Sequence, residues 1–92
     1  MAESADPLEH LRGRDIVLDM ASPYVVLGTL TDSGPHYLVL ENADVHDLRD
    51  TTTTREMYVV KARLHGINAN RQRLLVRHAD VIAVAALDDV VA

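Results

Sequence analysis

From Arg14 to Ala21 the residues alternate with a period of two: Ile16, Leu18 and Met20 fall on one parity, Asp15, Val17 and Asp19 on the other. That pattern predicts a half-buried strand, which Ser22 and Pro23 break. The run YVVLGTLT, residues 24 to 31, predicts a second strand with Gly28 in its interior. An interior glycine costs stability unless a bend or a close backbone approach requires it, so strong curvature is expected there, as in a small barrel. Asp32-Ser33-Gly34-Pro35 is turn chemistry. The run from His36 to Val45 should therefore return antiparallel as a third strand.

The middle of the chain changes period. Thr53 stands three residues before Glu56 and ahead of an apolar run, the spacing of a capping box, and Met57, Val60, Leu64 and Ile67 recur at intervals of three and four. A helix from about Thr54 to His65 is predicted, capped by Thr53 and ended by Gly66. A strand competes for the same residues, because Tyr58, Val60, Ala62 and Leu64 also alternate with Val59, Lys61, Arg63 and His65. The helix is the preferred reading, and it makes the four consecutive threonines, Thr51 to Thr54, a loop plus a cap. Asn68 to Asn70 is turn material. Arg71–Arg77 and Val81–Leu87 then predict a fourth and a fifth strand, joined by a tight turn at His78 and Ala79. The fifth is apolar at every position, as in a strand buried on both sides; in so small a barrel the second side is most simply another subunit. At the other end of the chain, Asp6, Pro7 and Glu9 form a helix-start signature that predicts one or two turns, closed by Gly13.

Composition narrows this further. Ninety-two residues make one domain, residues 1–92. With no Phe, no Trp and three tyrosines the core must be aliphatic, and with no cysteine neither a disulfide nor a thiolate metal site supports it. Self-association is the expected supplement for so small a core. The N-terminus lacks a signal-peptide pattern and no apolar run approaches the ~20 residues of a membrane span, so a cytoplasmic protein with no membrane contact is expected. Net charge is −5, unevenly spread: from Arg55 to His78 six bases face the single acid Glu56, giving +5, and the remainder carries −10. Such a segment is either a polyanion site or a solvated, salt-bridged face.

Potential ligands are densest in ENADVHDLRD, which holds Glu41, Asp44, His46, Asp47 and Asp50. Strand periodicity puts Asp44 and His46 on one face, close enough to share an ion or a proton, with His36 approaching from nearby. Two ligands do not make a metal site, however, and acidic strand ends are usually solvated. No Gly-rich phosphate loop, nucleophile elbow or HExxH motif is present. No metal site, cofactor or enzymatic activity is expected.

Two segments carry a resemblance. VVLGTLTDSGPHYLVLENADV resembles the first motif of the Sm-like (LSm) proteins, with its Gly-x-Leu and later Leu-Val-Leu, and LLVRHADVIAV is similar to the second. The resemblance covers Pro7 to Val45 and Leu74 to Leu87. It implies a mainly β fold, a five-stranded curved sheet or small barrel with a short N-terminal helix and, in the fourth loop, an inserted helix at about residues 54–65. It also implies a ring-forming, non-enzymatic protein that associates with itself through strands four and five, with single-stranded RNA as a candidate partner. The site departs from the family's pattern. Tyr37 takes the place of the family's Asn, a loop one residue shorter offers Ser33 or Gly34 for its Asp, and His78 replaces the Gly after Arg77. His36, Tyr37, Arg77 and His78 remain suited to base stacking and phosphate contact. Arg71 and Arg73 share the parity of Arg77, and the three form an expected basic stripe. The alternative is a structural or protein-interaction module that displays its inserted helix to another protein without binding nucleic acid.

Overall fold

The computed structural model describes residues 6–92. Five strands run β1 (Asp15–Met20), β2 (Tyr24–Ser33), β3 (Tyr37–Asp47), β4 (Arg71–Arg77) and β5 (Val81–Ala86), and one helix, α1 (Arg55–His65), lies between β3 and β4. All pairings are antiparallel and the sheet order is β4-β3-β2-β1-β5, which leaves β4 and β5 as its two edges. The expected N-terminal helix is a single 3-10 segment, Pro7–Leu11, whose start is capped by the Asp6 carboxylate accepting from Leu8 N at 3.0 Å.

Gly28 is where the sheet bends. Opposite it β3 carries two residues, Asn42 and Ala43, with Asn42 at φ +50°, so the bulge adds twist and re-aims the strand. A Cβ on Gly28 would lie 2.9 Å from Leu40 Cδ2 and 3.1 Å from Ala43 Cβ. Only glycine lets the two strands close over each other at this point. Ile16, Leu18, Val26, Leu30, Leu38, Leu40 and Val76 fill the concave side that results.

The convex side carries a second core. Val17, Val25 and Leu27 point outward from β1 and β2 and are covered by Val59 and Ala62 of α1 and by Leu87. Val17 is therefore buried, although the alternation places it with two aspartates.

Two expectations about α1 need correction. Its cap is Thr54, not Thr53: the Thr54 hydroxyl accepts from Met57 N at 3.1 Å, while Thr53 N donates to Thr51 Oγ1 at 3.3 Å. Glu56 consequently falls one position short of a capping box. The buried face also differs from the predicted stripe. Val59 and Ala62 are buried with Tyr58 beside them, whereas Met57 and Leu64 are 54% and 59% exposed. Spacings of three and four fit both faces, and the small side chain of Ala62 lets the helix approach the sheet. Gly66, at φ +95°, ends the helix as expected. No described helix is long and apolar enough to cross a membrane.

Candidate nucleic-acid interface

The turn between β2 and β3 and the turn between β4 and β5 meet at one end of the sheet. Gly34 N donates to Tyr37 O at 2.8 Å, closing the first, and His78 N donates to His36 O at 2.9 Å, joining it to the second. The β3–β4 ladder sets Tyr37 directly opposite Arg77. Pro35, His36, Tyr37, Arg77, His78 and Ala79 thereby line one open groove of about 690 Å³. Four of the six residues proposed from sequence are brought together here. Tyr37 is 45% exposed, enough to offer a ring face to a planar group.

Two of the four are partly engaged already. Arg77 forms a two-point ion pair with Asp80, Nε to Oδ2 at 3.0 Å and Nη2 to Oδ1 at 3.3 Å. That bond and the charge behind it hold the Asp80 carboxyl below its ordinary pKa and the guanidinium above its own. The His78 Nε2 lies 2.9 Å from Gly34 O, which fixes the ring against the neighbouring turn. Asp80 is the residue that sequence reasoning missed, and its i, i+3 spacing from Arg77 was the available signal.

Arg71 and Arg73 lie at the far end of β4, about 13 Å or more from Arg77 at strand spacing. Arg73 stands opposite Glu41, and Arg71 pairs across the bulge with buried Ala43. The Arg71 Nη1 donates to its neighbour's carbonyl, Asn70 O, at 3.1 Å. The expected continuous stripe is thus divided: Arg77 belongs to the groove, and Arg71 and Arg73 do not.

The Asp44 and His46 pair does share a face, and that face is covered by α1. Tyr58 Oη donates to Asp44 Oδ2, and Asn70 Nδ2 donates to Asp44 Oδ1 at 3.1 Å. The His46 ring stacks flat on Tyr58, with centroids 3.9 Å apart and an interplanar angle of 9°. Asp44 is 3% exposed. Together these residues fasten the helix to the sheet, while His36 lies in the groove at the other end of β3. In the same acidic segment Asp47 accepts from Arg49 Nε and Nη2 at 2.9 and 2.8 Å, and that bond first of all lowers its carboxyl to about 2. Among the described residues no three His, Asp or Glu side chains cluster as a metal site would require.

No protein-family model and no curated protein matches the sequence. Solved structures do match. The Sm protein of Pyrococcus abyssii in complex with a uridine heptamer superposes with a TM-score of 0.60 at 15% identity, over 89% of this chain and 99% of that one. The chain has the Sm-like fold. An SmAP (LSm) protein from Methanococcus vannielii agrees, with a TM-score of 0.56 at 18% identity over 91% of this chain and 99% of its own. Within this Sm-like sheet, α1 occupies the connection between β3 and β4 where an insertion was expected, and the groove of His36, Tyr37, Arg77 and His78 lies where the two hairpin turns meet.

Proposed function

We propose that the protein is a non-enzymatic, ring-forming Sm-like assembly protein that holds single-stranded RNA weakly and without regard to sequence. The observation that carries this reading is the convergence of His36, Tyr37, Arg77 and His78 in one open groove. An exposed ring, a guanidinium and two imidazoles suit stacking and phosphate contact. Support comes also from the likeness in fold to a protein solved with a uridine heptamer. The groove offers a base no rigid array of side-chain donors and acceptors, so sequence discrimination is not expected. Self-association is supported by the two unpaired edges, β4 and β5, which bear Leu75 at 58% and Ile82 at 70% exposure. Joining one edge to the other satisfies both ladders and buries both side chains. Repetition of the groove around a ring multiplies a contact that is weak in one copy.

Affinity for several single-stranded RNA oligomers, measured across salt concentrations, tests the reading. Binding that falls steeply with salt and differs less than about tenfold between sequences is expected. No binding at low salt, with Arg77→Ala making no difference, would transfer support to the second reading. That reading is a protein-interaction module, favoured by the exposed Met57 and Leu64 on α1.

A further inference from the structure

The helix α1 carries two apolar faces, and the fold of one chain uses only one of them. Val59 and Ala62 are buried against the sheet, whereas Met57 and Leu64 point away from it at 54% and 59% exposure, with half-buried Val60 between them. Spacings of three and four make these three a stripe along the solvent side of the helix. The charges on α1 are sorted by end: Glu56 lies in the first turn, and Arg63 and His65 lie in the last. Glu56 lines the groove towards β5, and Arg63 reaches the turn that follows β5, so the two lie on the same flank of the stripe. At 1.5 Å per residue they stand about 10 Å apart along the axis, too far to pair within one helix. Among the described residues neither forms an ion pair. The Arg63 Nε donates only to a backbone carbonyl, Asp88 O, at 3.4 Å.

An acid at one end and a base at the other, on one flank of an apolar stripe, are complementary to themselves under a two-fold axis. Set across the helix near Val60, such an axis runs two α1 helices antiparallel and keeps equal flanks together. Met57 of one copy then lies against Leu64 of the other, and Glu56 against Arg63, each contact made twice. Lys61 comes near its own counterpart, and its long stem lets the ammonium swing out to water. A parallel arrangement would instead set the basic ends of the two helices side by side and align their dipoles unfavourably. We propose that α1 is a docking surface for α1 of a second copy, the two helices packing antiparallel through Met57, Val60 and Leu64 with reciprocal Glu56–Arg63 ion pairs. Two helices of about 16 Å fall short of the ~1,000 Å² of a stable interface. One pair is therefore weak, and the contact gains strength where several copies meet at once. The inference stands apart from the edge-to-edge assembly and from RNA binding, since it uses neither the β4 and β5 edges nor the groove at Tyr37.

The chain has no cysteine, so a single introduced thiol reports the contact. Lys61→Cys places it on the exposed side of α1 beside the proposed axis, and mild oxidation should join two copies into a covalent dimer on a non-reducing gel. Glu9→Cys, exposed on the N-terminal segment, should not cross-link. In the Lys61→Cys background, Glu56→Arg and Arg63→Glu, each alone, set like charges against each other. Each should slow cross-linking about tenfold relative to the thiol's reaction with a small disulfide reagent, and the two together should restore it. Both reversals oppose the helix dipole, and the double reversal carries both, so recovery there cannot come from a firmer helix. Circular dichroism checks that α1 is formed in every variant. If Lys61→Cys cross-links no faster than Glu9→Cys, if the single reversals change nothing, or if the double reversal fails to recover, the inference is overturned and the exposed stripe is left to a different protein partner. The edge-to-edge and RNA readings are unaffected by any of these results.

Discussion

The Tyr58 hydroxyl donates a hydrogen bond to the carboxylate of Asp44, joining the middle of α1 to the outward face of β3. Asp44 is the one charged side chain among the described residues that is buried, and its other oxygen accepts from Asn70 at 3.1 Å. Tyr58→Phe removes one of these donors and leaves a buried charged oxygen without its partner. The expected cost is roughly 1–3 kcal/mol, read from the midpoint of urea unfolding.

The same contact sets the alkaline limit of stability. Burial first, and donation to Asp44 second, raise the Tyr58 phenol above the ordinary tyrosine value. In the unfolded chain it ionises near pH ~10, while in the folded chain it keeps its proton. Stability from this group is therefore complete below about pH 10 and is lost as the pH rises towards the folded pKa. Unfolding followed from about pH 9 to 11 should show a decline in the wild type that is shallower in Tyr58→Phe. Equal slopes would mean that Tyr58 is not linked to folding.

Thr54 and Thr53 provide a comparison within one run of identical residues. Thr54→Ala removes the hydroxyl that accepts from Met57 N and should cost about 0.5–2 kcal/mol. Thr53→Ala removes no cap and should stay within about 0.5 kcal/mol of the wild type. Thermal or chemical unfolding of the two variants distinguishes the positions.

Gly28→Ala places a methyl group 2.9 Å from Leu40 Cδ2 and 3.2 Å from Ala43 Cα. Leu40 is fully buried and Ala43 is held in the bulge, so neither moves cheaply. A loss of about 1–3 kcal/mol is expected, with a flatter sheet whose two edges no longer present the same angle. Oligomer size measured by light scattering should change along with stability.

Asp80 holds Arg77 in a two-point ion pair, and under the proposed function a bound RNA strand would compete with it. Asp80→Asn releases the guanidinium without removing side-chain volume. RNA affinity should rise and its salt dependence should steepen by about one phosphate contact. Unchanged affinity would mean that Arg77 does not face the bound strand.

The sequence by itself determined the order and approximate bounds of the five strands, the hairpin turn at Ser33 to Pro35, the need for glycine at the bend and the helix between β3 and β4. These are local properties: a period of two or of 3.6, a turn tetrapeptide and a residue lacking Cβ each act within a few positions of the chain. It also named His36, Tyr37, Arg77 and His78 as site candidates, but alongside Arg71 and Arg73 and without dividing the two groups. Only the tertiary structure decided which face of α1 is buried, since Met57 and Leu64 satisfy helical spacing as well as Val59 and Ala62 do, and the choice depends on what the opposing sheet presents. Thr54 displaced Thr53 as the cap for the same reason: packing of Val59 and Ala62 against Val17, Val25 and Leu27 sets the phase of the helix, and the phase selects the residue that precedes it. Asp44 and His46 read as possible ligands until Tyr58, fourteen residues from Asp44 along the chain, was placed between them. The basic stripe divided because Arg77 stands opposite Tyr37 where the two hairpin turns meet, while Arg73 and Arg71 lie towards the other end of β4. Each of these depended on a contact between residues far apart in sequence, which no local pattern encodes.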